Sequence, residues 1–367
     1  MNKLKVGFIS NLFPSQKDPT FGSFVGKNYK QLQDMDFEVG NPVVMDTRLP
    51  PFKKLLAYIC FFKDGMKLCF SSKYDYIYIH YLTYSTLCLL PVLLFKRPKY
   101  VVNIHGDDLV GTRLIHKIMS LPSPIVLKFA SAVVVPSSFF KSELLKRFPT
   151  LSAPVIISES AGFDESVFYP RKNELTNNEI VHFGYVSRID EGKGWEELLS
   201  ALHLLKINNS DLFNRIKLSF YGKGGQVNDF NKALNYYDLK EIVTYYGPVA
   251  PEELGEIYRS FDYFIFPTHR ESFGLVAVEA CACGIPVLAS DISPVNNIIY
   301  DGVNGFLFES NNAFSIYNTL LSVFKVDYEA YVKMSQAACE SVVHYRGCVV
   351  ASKLAINLHE IFGNAKF

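Results

Sequence analysis

The sequence predicts an α/β protein of two doubly wound parallel sheets, one in each half of the chain, facing one another across a cleft. Three observations carry that expectation. At 367 residues the chain exceeds what one hydrophobic core usually supports, so two domains of roughly 150 to 200 residues are expected. Short runs rich in Val, Ile, Phe and Tyr alternate with helix-length segments, and strand, helix, strand repetition builds a parallel sheet. The alternation stops in a polar stretch and then starts again.

First-half strands are expected at 5–9, 76–80, 100–104, 132–135 and 155–157, and second-half strands at 180–183, 216–221, 242–246, 263–266, 286–289 and 305–308. The seam falls in 164–178, where Tyr169-Pro170-Arg171-Lys172 and an Asn-rich stretch carry no periodicity, giving domains 1–170 and 171–345. A segment of helical period, about 349–361, ends the chain. The apolar stretch 87–95, interrupted by Pro91, is about half of what a bilayer span needs and reads as a buried helix.

Composition narrows the function. With 49% hydrophobic and 20% charged residues the chain folds throughout. A net charge of +1 leaves no electrostatic footprint for nucleic acid, which is excluded as a partner. Seven cysteines without paired Cys-x-x-Cys spacing fit a reducing cytoplasm, and the four-residue apolar run near the N-terminus is far short of an export signal.

Ligands of open parallel sheets bind beyond the carboxyl ends of the strands, so the loops there are where chemistry is sought. The first such loop of the second half holds Arg188 and Lys193, five residues apart, with glycines at 192 and 194. A guanidinium and an ammonium on backbone that can approach closely suit two adjoining phosphates; the other reading is a solvated turn with incidental charges. Ser187 and Gly194 stand where a Walker loop needs Gly and Ser or Thr, which counts against kinases and ATPases. After the next strand, Gly222 opens Gly222-Lys223-Gly224-Gly225, either a ligand contact or a plain turn; Val227 breaks the dinucleotide fingerprint.

The most informative segment runs from Phe266 to Gly284. A strand ends, a polar loop follows, and a helix is expected to begin near Ser272, its free amides forming an anion site over Phe273, Gly274 and Leu275. Glu271 stands at the mouth. Glu279, about 2.2 turns beyond Glu271, is the sole charge among small and apolar residues of that helix. A carboxylate there needs hydrogen-bond donors, either the vicinal hydroxyls of a ribose or neighbouring backbone amides. In the first half, Gly22 and Gly26 follow the first strand after a long loop. His80 ends one strand and His105 another, beside Gly106, Asp107 and Asp108, and either imidazole is a candidate for the cleft or a structural residue of its strand end.

Taken together these residues resemble the retaining glycosyltransferases of family 4, enzymes of the GT-B fold with two Rossmann-like domains, and the similarity covers essentially the whole chain. Glu271 and Glu279 meet the family's Glu-x7-Glu motif, Arg188 and Lys193 its Arg-x4-Lys pair, Gly22 its first-domain glycine loop, and His105, Gly106 and Asp107 its His-Gly-Asp loop. The chain departs from the common pattern at Ala161-Gly162, at Gly22-Ser23 and around Ser293-Pro294-Val295-Asn296-Asn297. The resemblance implies that Arg188 and Lys193 neutralise the donor diphosphate, that Glu271 contacts the transferred sugar, and that Glu279 binds the ribose. It implies a catalytic set of Glu271, His105, Arg188 and Lys193, with Gly22, Gly222, Phe273, Gly274 and Leu275 also lining the donor site. A final helix, 346–367, is expected to pack back on the first domain.

The expected activity is transfer of a sugar from a UDP- or GDP-sugar, with retention, to a glycan or lipid-linked saccharide in capsule, O-antigen or exopolysaccharide synthesis. A catalytically silent nucleotide-sugar-binding subunit, or an epimerase or phosphorylase of similar fold, stands as the alternative. No cofactor and no metal are expected: Asp34-Met35-Asp36 has the letters of a cation motif but reads as a solvated helix end. In 51–68, aromatic and aliphatic residues interleave with Lys53, Lys54, Lys63 and Lys67. That stretch is either a peripheral contact with the cytoplasmic face of the inner membrane or an amphipathic helix packed on its own sheet.

Overall fold

Runs of Val, Ile, Phe and Tyr too continuous for a half-solvated sheet must be covered on both faces, which parallel sheets achieve through crossover helices. The computed structural model has two such sheets, all of their strand pairs parallel. It describes residues 3–18, 21–47, 50–111, 114–171 and 179–363; residues 172–178, the latter part of the expected seam, lie outside the described residues. The chain divides into one unit of Met1–Gly162 with Gly347–Phe367 and another of Phe163–Arg346. The border thus falls at 163 and not at 171, because Phe163 and Phe168 are buried in the core of the second unit.

The first unit contains β1 (Leu4–Ser10), β2 (Phe37–Val39), β3 (Val43–Val44), β4 (Tyr76–His80), β5 (Tyr100–Asn103), β6 (Ala132–Val135) and β7 (Val155–Ile157). Their order is β2-β1-β4-β5-β6-β7, with β3 also on β1. Neither β2 nor β3 is expected from the sequence: three and two residues show no period, and pairing with β1 makes them strands. Helices Pro51–Phe70, Leu89–Leu93, Ser123–Lys128 and Ser138–Arg147 pack one face, through Phe61, Val92, Val126 and Phe140 among others. Ser23–Asp34 and the terminal helix Gly347–Phe362 pack the other, through Val25, Leu32, Leu354 and Leu358. Gln31 Nε2 ties these two helices, donating to the carbonyls of Ala161 at 2.8 Å and Gly347 at 3.2 Å. The expected buried helix at 87–95 is shorter: a 3-10 turn Tyr84–Cys88 leads into Leu89–Leu93, and Leu94 and Phe95 emerge exposed.

The second unit contains β8 (Val181–Val186), β9 (Ile216–Tyr221), β10 (Val243–Gly247), β11 (Tyr263–Phe266), β12 (Val287–Ser290) and β13 (Gly305–Phe308), ordered β10-β9-β8-β11-β12-β13. Trp195–Asn208, Val227–Tyr236 and Ala313–Val323 cover one face, and Leu254–Arg259 and Leu275–Ala282 the other. The strand order reverses between β8 and β11, and in the first unit between β1 and β4. Each reversal opens a crevice beyond the strand ends within its own unit.

Candidate functional site

The reversal brings the loops after β8 and β11 side by side. Lys193 Nζ lies 3.3 Å from Glu271 Oε2 and 3.5 Å from Thr268 Oγ1. The two charged side chains are only 18% and 20% exposed, so water screens this pair weakly. Glu271 Oε1 accepts the Ser272 amide at 2.9 Å. The Gly192 carbonyl accepts the His269 amide at 2.9 Å, and the Tyr185 hydroxyl donates to the Lys193 carbonyl at 3.1 Å. A side chain at Gly194 would place its Cβ 1.8 Å from the Pro267 carbonyl oxygen, and one at Gly222 1.9 Å from that of Ser187, at φ of +70° and +131° respectively. These glycines therefore let three loops touch one another, a role they have before any ligand arrives.

Arg188 is placed differently. Its guanidinium, 69% exposed, pairs with Asp190 Oδ2 at 2.9 Å, while Asp190 Oδ1 accepts the Gly225 amide at 2.6 Å. The structure thus brings Lys193 and Glu271 together, and joins Arg188 to Asp190, a residue that no motif in the sequence singles out.

The helix expected from Ser272 begins at Leu275, after Gly274 at φ +98°. Left-handed backbone at Gly274 cannot belong to the first helical turn, and the Ser272 amide is taken by Glu271. Phe273 turns its ring into the core, edge-on to Tyr345 with ring centroids 5.0 Å apart, so only its backbone remains for a ligand. Glu279 is 5% exposed within Leu275–Ala282 and already has an interaction inside the protein. Its neighbour Tyr258 is wholly buried, and burial first and the Glu279 charge second hold that phenol well above its ordinary pKa.

In the first unit Gly22 caps Ser23–Asp34 and packs against Leu12 and Phe13. His80 Nδ1 lies 2.7 Å from His105 Nε2, and His80 Nε2 lies 3.1 Å from Asn28 Oδ1. The His105 and Gly106 amides donate to Asp108 Oδ1 at 3.0 and 2.8 Å, and the Leu82 amide to Asp108 Oδ2 at 2.9 Å. Burial lowers the His105 imidazole to about 3, although part of the residue reaches the surface, and drives His80 well below its ordinary value. Asn28 and Asp108 escaped the sequence reading as site residues. Asn28 carried a signal, since it stands three residues after Val25 and four before Leu32 on the buried stripe of its helix. Asp34 ends that helix and Asp36 pairs with Lys3 at 3.4 Å.

The two parallel-sheet units, with a cation and a carboxylate at the reversal of the second, define a protein of the GT-B class. Residues 169–341 match the family described as Glycosyl transferases group 1, and residues 27–157 match Glycosyltransferase Family 4. The chain belongs to the family 4 glycosyltransferases. A D-inositol 3-phosphate glycosyltransferase of Arthrobacter sp. (strain FB24) is 30% identical over 41% of this chain and 38% of its own length. An uncharacterized 41.2 kDa protein in the cps region of Klebsiella pneumoniae is 29% identical over 43% of this chain and 42% of its own. The chain thus matches about two fifths of the length of these curated relatives. Sucrose-phosphate synthase from Thermosynechococcus elongatus superposes with a TM-score of 0.80 at 18% identity, covering 99% of this chain and 100% of that one. Anabaena HepE, solved with UDP and glucose, gives 0.72 at 16%, covering 97% and 100%. At these identities the superpositions speak for the fold.

Proposed function

We propose that this chain transfers a sugar from a UDP- or GDP-linked donor to a saccharide or lipid-linked saccharide, with retention at the anomeric carbon and without a metal. The observation that carries the reading is the shielded Lys193–Glu271 pair at the β8/β11 reversal. As the sugar bond breaks, negative charge grows on the departing nucleoside diphosphate, and a cation fixed beforehand in a poorly hydrated crevice stabilises it. Glu271, tethered by Lys193 and the Ser272 amide, supports a role for that carboxylate toward the hydroxyls of the transferred sugar. Glu279 takes the ribose in this reading, and Arg188, whose guanidinium pairs with Asp190 and is largely exposed, turns toward the diphosphate when it arrives.

The relative from a cps region supports capsule, O-antigen or exopolysaccharide synthesis as the context, and the UDP held by HepE supports a uridine donor. Among the described residues no helix is long and apolar enough to cross a membrane. Peripheral contact from the cytoplasmic side has support in Pro51–Phe70, which buries Phe61 and Leu68 yet exposes Leu55, Leu56 and Ile59 by 62%, 54% and 55% beside its lysines.

The test is a panel of nucleotide sugars offered to the purified chain, reading slow donor hydrolysis with and without a chelator. Hydrolysis of one donor, untouched by the chelator and lost in Lys193→Ala, is the expected result. Nucleotide binding without turnover of any donor would identify a silent binding subunit. Turnover abolished by the chelator and restored by manganese would refute metal independence.

A further inference from the structure

The first-unit crevice contains a chain of buried side chains whose hydrogen bonds have a direction. Asn28 and His80 are 4% and 0% exposed, and both imidazole nitrogens of His80 are engaged: Nε2 with Asn28 Oδ1 and Nδ1 with His105 Nε2. An amide oxygen only accepts, so His80 Nε2 carries the hydrogen and His80 Nδ1 is left as a lone pair. That lone pair requires a donor at 2.7 Å, so the proton of His105 sits on Nε2. His105 Nδ1 is then an acceptor, with no hydrogen-bond donor to it among the described residues.

The ring is also fixed from the sides. Phe24 and Tyr81 lie against it with centroids 4.8 and 4.7 Å away, and Tyr81 holds a left-handed φ of 71°, strained for a bulky residue. Burial, which disfavours the charged form of both imidazoles, is consistent with one neutral arrangement throughout the chain.

We infer that Asn28 and His80 are positioning residues that fix His105 in its Nε2–H tautomer, so that Nδ1 is offered as a hydrogen-bond acceptor to a ligand hydroxyl. The inference rests on the proposed function only in taking that hydroxyl to belong to a sugar; the direction of the relay follows from the hydrogen bonds themselves.

Histidine-selective 15N labelling of the full chain, with the ring signals assigned through His80→Asn and His105→Gln, reads the tautomer directly. In the wild type, His105 is expected to show a protonated Nε2 and a bare Nδ1 at neutral pH. Asn28→Leu should collapse that into a mixture of tautomers, and Asn28→Asp, which keeps an acceptor for His80 Nε2–H, should preserve it. Donor hydrolysis should fall about tenfold in Asn28→Leu, the scale of losing an orienting partner, and recover in Asn28→Asp, with nucleotide affinity unchanged in both. A wild-type His105 protonated at Nδ1, or a His105 spectrum that Asn28→Leu leaves unaltered in a folded protein, overturns the relay. A wild type that hydrolyses no nucleotide sugar overturns the functional reading instead, while the ring spectra still decide the relay.

Discussion

The crevice of the second unit is lined with charge and that of the first with neutral rings. Beyond β8 and β11 stand Lys193 with Glu271 and Arg188 with Asp190, on loops that the close approaches at Gly194 and Gly222 lock together. At the β1/β4 reversal stand Asn28, on the helix that follows β1, and His80, the last residue of β4, with His105 just after β5, both imidazoles held uncharged by burial and oriented by Asn28. Both crevices arise from the same device, a reversal of strand order in a parallel sheet, so the fold supplies the place and the loop residues supply the chemistry. The first kind of lining pairs with formal charge, and the second offers neutral hydrogen-bond partners.

The comparison breaks first at Lys193. Lys193→Ala should lower donor turnover by about 100-fold, the usual scale for removing one preorganised stabilising group. Because Lys193 and Glu271 touch, the double variant with Glu271→Ala should lose less than the product of the two single losses in a double-mutant cycle. A multiplicative result would mean that the pair does not act as a unit.

The two carboxylates should separate next. Glu279→Ala is expected to weaken nucleoside diphosphate binding by about tenfold, or about 1.4 kcal/mol, in a calorimetric titration, and Glu271→Ala to slow turnover with that affinity little changed. Equal losses of affinity would remove the division between ribose and sugar. Arg188→Ala should weaken diphosphate binding less than Lys193→Ala, since its guanidinium is largely in water and paired with Asp190. A loss matching that of Lys193 would show that Arg188 leaves Asp190 and closes on the ligand.

Protonation sharpens the contrast from the other crevice. His105 is lowered to about 3 in the folded chain, against about 6.5 when unfolded, so between those values the unfolded chain binds a proton that the folded one does not. The stability that His105 contributes is complete above about pH 6.5 and is lost progressively as the pH falls toward 3. Urea midpoints should therefore drop between pH 7 and pH 5, and drop less in His105→Gln. The smallest effect concerns the outer face of Pro51–Phe70. Flotation with anionic vesicles at low salt should be lost when Lys53, Lys54, Lys63 and Lys67 become Glu, each lysine adding about 1 kcal/mol of attraction. Equal flotation of both proteins would place the contact elsewhere.

Much of the frame was legible because strands covered on both faces are continuous apolar runs, and a run such as Tyr76–His80 or Ala132–Val135 states its own limits. β2 and β3 were not, since a two- or three-residue strand exists only through its neighbour. The expected start near Ser272 missed Leu275, because a left-handed Gly274 and a Glu271 carboxylate on the Ser272 amide are matters of backbone and contact, which spacing does not encode.

What the sequence by itself determined is the repeated strand and helix alternation and the residue types set at the strand ends: the cations at 188 and 193, the carboxylates at 271 and 279 and the two histidines. Local pattern and side-chain chemistry suffice for these. What the tertiary structure alone decided is who meets whom. Lys193 reaches across 78 residues to Glu271 while Arg188 stays with its neighbour Asp190, and His80 stands between Asn28 and His105 across separations of 52 and 25 residues. Partners so distant in the chain are chosen by strand order and helix packing, which exist only once the sheets have formed.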